Sequence, residues 1–186
     1  MNIVISGMSC SGKSTFANEI ENSLHFEEDW YFKDKKDIPF LKSGYLFDSI
    51  NSFYVNEIKN DVSKLLRDGS VYVPNYDVIG NRRVDKSRIV YSKKLNVFEG
   101  LHMINILSFL NDSFSIFIDT DLDLCLKRRI LRDRKYGIGE DDIIRYFNEV
   151  MIPMYECYIL PQKYCCDYVV RGEEDKLCLL KKFQSY

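Results

Sequence analysis

The chain has 186 residues, 46% apolar and 29% charged, the proportions of an ordinary globular protein long enough to bury a sizeable core. Its 28 acidic and 26 basic side chains leave a formal net charge of −2, which argues against a nucleic-acid partner or a membrane-surface role, since both carry a strong basic excess. No apolar run approaches the length of a membrane span, and the N-terminal run is too short for a signal peptide. The reading is therefore one domain, residues 1–186, in the cytoplasm, with six reduced cysteines and no zinc-type Cys/His grouping.

Ile3, Val4 and Ile5 form an apolar run of the kind found in a strand buried on both faces. The stretch Gly7, Met8, Ser9, Cys10, Ser11, Gly12, Lys13, Ser14 and Thr15 follows, containing the pattern G-x-x-x-x-G-K-S. Its glycines let successive backbone N–H groups curl around phosphate oxygens, and a helix opening at Lys13 turns its positive dipole end to the same anion. Lys13 is suited to bridging the outer phosphates of ATP or GTP, and the Ser14 hydroxyl to ligating Mg²⁺. The plain alternative is a Gly/Ser turn. Phe16, Ala17, Ile20 and Leu24 argue against it by supplying the amphipathic helix that a nucleotide loop needs.

Residues 24–28 read as a second short strand, ending at Asp29 and an aromatic cluster. Asp29 lies where open α/β sheets bind ligands, as a general base or Mg²⁺ partner, or else as a turn or capping residue. Residues 34–48 read as a loop. A helix is expected over 52–68, with Val55, Ile58, Val62 and Leu65 on one face and Gly69 just past its end. Residues 71–76 have strand composition, and Pro74 confines them to an edge or ribbon. Residues 75–83 are turn-rich.

A buried strand over 95–98 ends at Glu99, a carboxylate placed to order a metal or its water shell, or else an isolated surface acid. A short helix over 103–110 and a core strand over 114–118 follow. From Asp121 a charged helix runs with acids first and bases last, and its buried stripe is read as Leu122, Leu126 and Ile130. The cations Lys127, Arg128, Arg129, Arg132, Arg134 and Lys135 exceed what capping requires, so this segment reads as a lid that clamps a transferring phosphoryl group. Residues 141–158 read as a helix kinked or broken at Pro153. A last strand over 167–171 and a helix over 173–183, with Leu177, Leu180 and Phe183 inward, complete a parallel three-layer α/β sheet fold.

These segments together resemble the uridine kinase (uridine–cytidine kinase) family of phosphate-loop kinases, which also includes phosphoribulokinase. The likeness runs from Ile3 to about Gly172. It is carried by the loop, by Asp29 to Lys33, Phe47-Asp48, Pro74 to Asp77, Phe98 to Gly100, Asp119 to Asp121 with Arg128 to Asp133, and Pro153, Pro161 and Asp167. The resemblance implies a P-loop nucleoside triphosphate hydrolase fold with a small β-ribbon, an acceptor-side insertion over roughly 34–91 and a helical lid over 127–140. It implies ATP-dependent phosphorylation of a nucleoside 5′-hydroxyl, with uridine or cytidine as the acceptor.

Within that resemblance Asp29 matches the catalytic base, and Ser14 and Glu99 match the Mg²⁺ environment. Asp48 beside Phe47 matches the holder of the ribose diol, and Tyr76 a residue lining the nucleoside site. Arg129 and Arg132 match helix arginines near the substrate and the moving phosphate. The chain departs from the pattern at Trp30-Tyr31-Phe32, where the family has Ser-Phe-Tyr. It has Val78 and Asn81 in place of an aromatic and a histidine, and Tyr136 and Ile138 in place of two lid arginines, for which Arg134 or Lys135 would substitute. The acceptor thus stays open to nicotinamide riboside, pantothenate or a sugar phosphate, and a regulatory ATP binder that has lost catalysis is the reading from another class. The family likeness also suggests a homo-oligomer.

Overall fold

The computed structural model describes residues 1–183, the side chains of 85–87 excepted. Five strands form one parallel sheet in the order β2 (Leu24–Glu27), β7 (Asn96–Gly100), β1 (Asn2–Gly7), β8 (Ser113–Ile118) and β9 (Tyr168–Val170). β1 is central because it is apolar on both faces. Val4 points to one side with Phe26, Phe98 and Phe117, while Ile3 and Ile5 point to the other with Val97 and Ile116. Each such side chain contributes about 1.5–3 kcal/mol on burial. The first face is covered by α2 (Val55–Asp68), α3 (Met103–Ile106) and the long helical stretch after residue 140. The second is covered by α1 (Lys13–Asn18) and α7 (Glu173–Phe183). This is the expected three-layer α/β fold.

Outside the sheet lie a small hairpin, β3 (Phe40–Leu41) with β4 (Gly44–Tyr45), and a ribbon, β5 (Ser70–Asp77) with β6 (Arg82–Tyr91). The ribbon's register shifts between Val73 and Asn75, at Pro74, which has no N–H to give the ladder. α4 (Leu122–Asp133) is capped by the Asp121 carboxylate, which accepts from the N–H groups of Asp123 and Leu124. No described helix is long and apolar enough to cross a membrane.

Several local expectations need correction. α1 stops at Asn18, and the chain turns through Asn22 in a left-handed conformation, so Leu24 opens β2 and does not extend the helix. The stretch 34–48 is only partly loop, since it carries the β3–β4 hairpin and a short 3-10 turn at Lys35–Asp37. The turn-rich stretch shrinks to 78–81, because cross-strand pairing extends to Asp77 and Arg82. α3 closes after one turn, at Ile106. In α4 Leu122 and Leu126 pack partly buried against the core as expected, with Cys125 and Asp133 buried beside them, and in α7 Leu177 is exposed while Leu179 packs inward. α5 (Glu140–Tyr146) and α6 (Ile152–Met154) are joined by a π-helical stretch at Phe147–Met151, and a second follows at Tyr155–Ile159. The chain thus passes Pro153 without a break, since wider turns accommodate the missing N–H.

At the C-terminal edge of β1 the backbone comes too close to β8 for any side chain. A Cβ on Gly7, whose φ is +156°, would lie 2.6 Å from the Ile118 carbonyl oxygen. Gly7→Ala should lower stability by about 3 kcal/mol through combined strain and overpacking. A urea melt with an unchanged midpoint would show that β1 and β8 can separate at this point.

Candidate active site

The phosphate-type loop leaves β1 where the chain's order across the sheet reverses, with β7 on one side and β8 on the other. Cys10 and Gly12 adopt positive φ of 65° and 103°. The outer side of the loop is gripped by the β8–α4 connection and by α4. Thr120 Oγ1 donates to the Ser11 carbonyl at 2.8 Å, Arg128 Nη1 donates to the carbonyls of Ser11 and Cys10 at 3.1 and 3.3 Å, and Arg129 Nη1 reaches Ser9 Oγ at 3.2 Å. In a trans peptide the carbonyl and the next N–H point opposite ways, so a Ser11 carbonyl turned outward presents the Gly12 N–H inward. Lys13 is buried and folds over the loop to donate from Nζ to the Met8 carbonyl at 2.9 Å. A cavity of about 740 Å³ opens along residues 10–16 and is walled by Leu124, Arg128, Arg132, Arg171 and Lys176, within the usual size of small-molecule sites.

Beside the loop, Ser14 Oγ donates to Glu99 Oε1 at 2.6 Å. His25 Nε2 stands 3.4 Å from the same oxygen, an ion-pair distance with poor hydrogen-bond alignment, while its Nδ1 lies 3.0 Å from Asn18 Oδ1. Burial raises the Glu99 carboxyl, but His25, Lys13 and Ser14 outweigh it and hold the group below its ordinary value. The donors that Ser14 and Glu99 offer are hard oxygens, which suit Mg²⁺ and not zinc, and they leave coordination positions for water and phosphate.

Asp29 sits on the 3-10 turn Glu28–Tyr31 that leaves β2, its side chain open to the cleft. The crowded cleft floor and then the like charge of Glu99, with Glu27 and Asp48 adding less, push its carboxyl up to about 7 against the pull of Lys13. Because the carboxylate reaches solvent, the neighbouring negative charges are the firmer cause.

Across the cleft, Asp48 is buried, and its Oδ2 has no hydrogen-bond partner. Burial raises this carboxyl, opposed by the positive charges of Arg129, Lys13 and Arg132. The Tyr76 hydroxyl is likewise enclosed without a partner. Phe32 joins these residues: its ring centroid lies 4.2 Å from Phe53, 5.2 Å from Tyr76 and 6.1 Å from Phe47. The fold therefore brings Phe47, Asp48 and Tyr76 together with an aromatic wall that the sequence does not announce. Arg129 and Arg132 both grip the buried Asp133 at 2.7 Å, which spaces the two guanidiniums along α4. Arg134 is turned to Glu140 at 3.1 Å. Tyr31 faces the core, donating to Asp61 at 2.9 Å, so its hydroxyl is turned from the site. Asn81 occupies the ribbon turn in a left-handed conformation, its amide 3.5 Å from the Ile79 carbonyl, and Val78 is exposed.

Two residues with no motif around them complete the floor. Glu28 is fully buried, and its Oε2 accepts from the His102 N–H at 3.0 Å. His102 Nε2 in turn lies 2.9 Å from the Asp48 carbonyl oxygen, and burial pushes the imidazole down to about 4, leaving it neutral. Gly100 makes room for this acid, since a Cβ there would run into the Glu28 carboxyl. The one available hint is that His102, one of two histidines in the chain, stands three residues after Glu99.

Burial, opposed by the His102 N–H, pushes Glu28 from 4.5 up to about 8. An acid whose folded pKa exceeds its unfolded value holds a proton in the folded chain across that interval. The unfolded chain binds fewer protons there, so stability falls as pH rises from about 4.5 to about 8. Glu28→Gln should flatten this decline and leave the variant more stable relative to wild type at pH 8.5 than at pH 5. Parallel melting-temperature profiles for the two proteins would assign the buried proton elsewhere.

The sequence profile of the family described as Phosphoribulokinase / Uridine kinase matches residues 2–177. The chain is 30% identical over 195 residues to a uridine kinase of Tolumonas auensis (strain DSM 9187 / NBRC 110442 / TA 4), covering 95% of this chain and 89% of that one. It is 29% identical over 190 residues to a uridine kinase of Proteus mirabilis (strain HI4320), covering 94% and 89% respectively. Among solved structures, phosphoribulokinase from Rhodobacter spheroides shares the fold with a TM-score of 0.58 at 16% identity, over 91% of this chain and 70% of that one. A profile that spans nearly the whole chain, on a parallel sheet whose central strand feeds a phosphate loop, makes this chain a member of the phosphoribulokinase / uridine kinase family, whose members are ATP-dependent phosphotransferases.

Proposed function

We propose that this chain is a nucleoside kinase that transfers the γ-phosphoryl group of ATP to the 5′-hydroxyl of a riboside, with uridine or cytidine as the acceptor. The observation that carries the reading is the unpartnered Oδ2 of buried Asp48 beside an aromatic wall. A buried carboxylate left without a donor is costly, and the two neighbouring hydroxyls of a ribose supply donors to both of its oxygens. The rings of Phe32, Phe47 and Tyr76 offer stacking surface to a planar base, and the enclosed Tyr76 hydroxyl is a polar group available to its edge. Uridine kinase relatives at 29% and 30% identity support the acceptor class.

The loop holds the triphosphate through its backbone, and Lys13 exchanges its bond to the Met8 carbonyl for the outer phosphates. Mg²⁺ held by Ser14 and Glu99, with Asp29 nearby, would neutralise charge on those phosphates. Asp48 anchors the ribose so that its 5′-oxygen lies in line with the γ-phosphorus. Asp29 then takes the hydroxyl proton as the 5′-oxygen bonds to the γ-phosphorus and the bond from that phosphorus to the bridging oxygen of ADP breaks, ADP leaving. A carboxyl raised toward 7 is well matched to accept the proton at neutral pH. Arg132, half exposed on α4, and Arg129 stabilise the charge on the moving group. The chain acts as one domain, with 34–91 on the acceptor side and 127–140 as lid, in the cytoplasm where ATP and free nucleosides meet. With Asn81 held in its turn, base selection rests on the aromatic wall.

ADP release from Mg·ATP should depend on uridine or cytidine when these are tested beside nicotinamide riboside, pantothenate and ribulose 5-phosphate. Turnover with another of these acceptors would move the substrate, and tight ATP binding with no turnover at all would favour a lapsed kinase. Asp29→Asn should cut kcat by about a hundredfold or more with ATP affinity retained, as expected on loss of a general base; undiminished turnover would remove Asp29 from the mechanism. Asp48→Ala should raise the riboside KM and erase preference for ribosides over 2′-deoxyribosides. An equal effect on both acceptors would contradict the diol role.

A further inference from the structure

Asp48 lies in the irregular stretch between β4 and α2. Within that stretch the Ser49 N–H bonds to the Leu46 carbonyl at 3.0 Å and Ser52 Oγ donates to the same carbonyl at 2.6 Å. These bonds fix the curvature of the turn but not the place of Asp48 relative to the sheet. His102 reaches the Asp48 backbone itself, its Nε2 lying 2.9 Å from the carbonyl oxygen. A carbonyl oxygen only accepts, so Nε2 carries the proton. The other side of His102 is also fixed, because its N–H donates at 3.0 Å to Oε2 of Glu28, the chain neighbour of Asp29. The imidazole edge meets Phe53 with ring centroids 6.0 Å apart, and Phe53 is the ring that packs on Phe32.

A buried relay thus runs from the turn carrying the proposed base, through Glu28 and His102, to the backbone of the proposed diol carboxylate. We propose that His102 is a positioning residue of the acceptor site, setting the Asp48 carboxylate at its working distance from Asp29 through its bond to the Asp48 carbonyl. The inference rests on the acceptor reading of Asp48 given above. It extends that reading to a residue buried beneath the cleft, whose side chain is closed off from solvent and acts on the acceptor only through Asp48. A histidine that served only to fill the core would leave acceptor binding unchanged once folding was preserved.

The test compares His102→Phe, His102→Gln and His102→Asn with wild type, by KM for uridine and for ATP, kcat, the preference for uridine over 2′-deoxyuridine, and melting temperature. Phe keeps the ring and loses the donor. The Gln amide nitrogen can take the place of Nε2, whereas that of Asn falls near Nδ1 and is too short. His102→Phe and His102→Asn should raise the uridine KM about tenfold and narrow the ribose preference by a similar factor, with the ATP KM within about twofold of wild type. His102→Gln should recover most of the loss. An unchanged uridine KM in folded His102→Phe, equal rises in both KM values, or His102→Gln performing no better than His102→Asn would each overturn the proposal. If His102→Phe does not fold, the Gln and Asn variants decide by reach alone. Wild-type protein that turns over no riboside would overturn the acceptor reading and this proposal with it, whereas failure confined to the variants overturns this proposal alone.

Discussion

The site is organised around a concentration of negative charge at the ends of two neighbouring parallel strands. Register places Glu27 of β2 opposite Glu99 of β7, and Glu28 and Asp29 follow at once on the next turn. Four acids so close could not all ionise without compensation. The chain answers in three ways: Glu99 takes a hydroxyl from Ser14 and the nearby imidazole of His25, Glu28 is buried as a neutral acid bonded to a backbone N–H, and Asp29 is left raised and open to the cleft. One crowded edge thereby yields carboxyl groups in different protonation environments, and Lys13 acts on Glu28, Asp29 and Glu99 as a shared counter-charge.

Much of this was legible in the amino-acid order, for identifiable reasons. The loop could be read because glycine spacing and a following lysine are imposed by backbone geometry that few other residues satisfy. The strands around Ile3 to Ile5, Phe98 and Phe117 could be read because double-sided burial demands continuous apolar runs. α2 was clear from its stripe and from Gly69, whose φ of +80° closes the helix with an N–H to the Leu65 carbonyl. α4 is legible in its polarity and in Leu122 and Leu126, which pack partly buried against the core, whereas buried Cys125 and the ion pair of Arg129 with buried Asp133 carry no signal in the pattern.

What stayed hidden depends on contacts between distant segments. The Glu28–His102–Asp48 relay joins residues separated by 74 and 54 positions, and neither Glu28 nor His102 sits in a recognisable pattern. The aromatic wall gathers Phe32, Phe47, Phe53 and Tyr76 from the turn after β2, the irregular stretch before α2 and the ribbon. At Pro153 the sequence announces an irregularity but not its form, since whether a proline breaks a helix or is absorbed by wider turns is settled by what packs around it.

The grip of α4 on the loop has a consequence of its own. Arg128 holds the Cys10 and Ser11 carbonyls and Arg129 holds Ser9, while Arg132, one turn further along the same helix, faces the cavity. The loop carbonyls and a guanidinium that lines the cavity are therefore tied to one rigid helix. On the proposed function, any rotation of α4 that carried Arg132 toward a phosphate would also pull on the peptide planes of the loop, so that closing over the nucleotide and shaping its seat would be one motion.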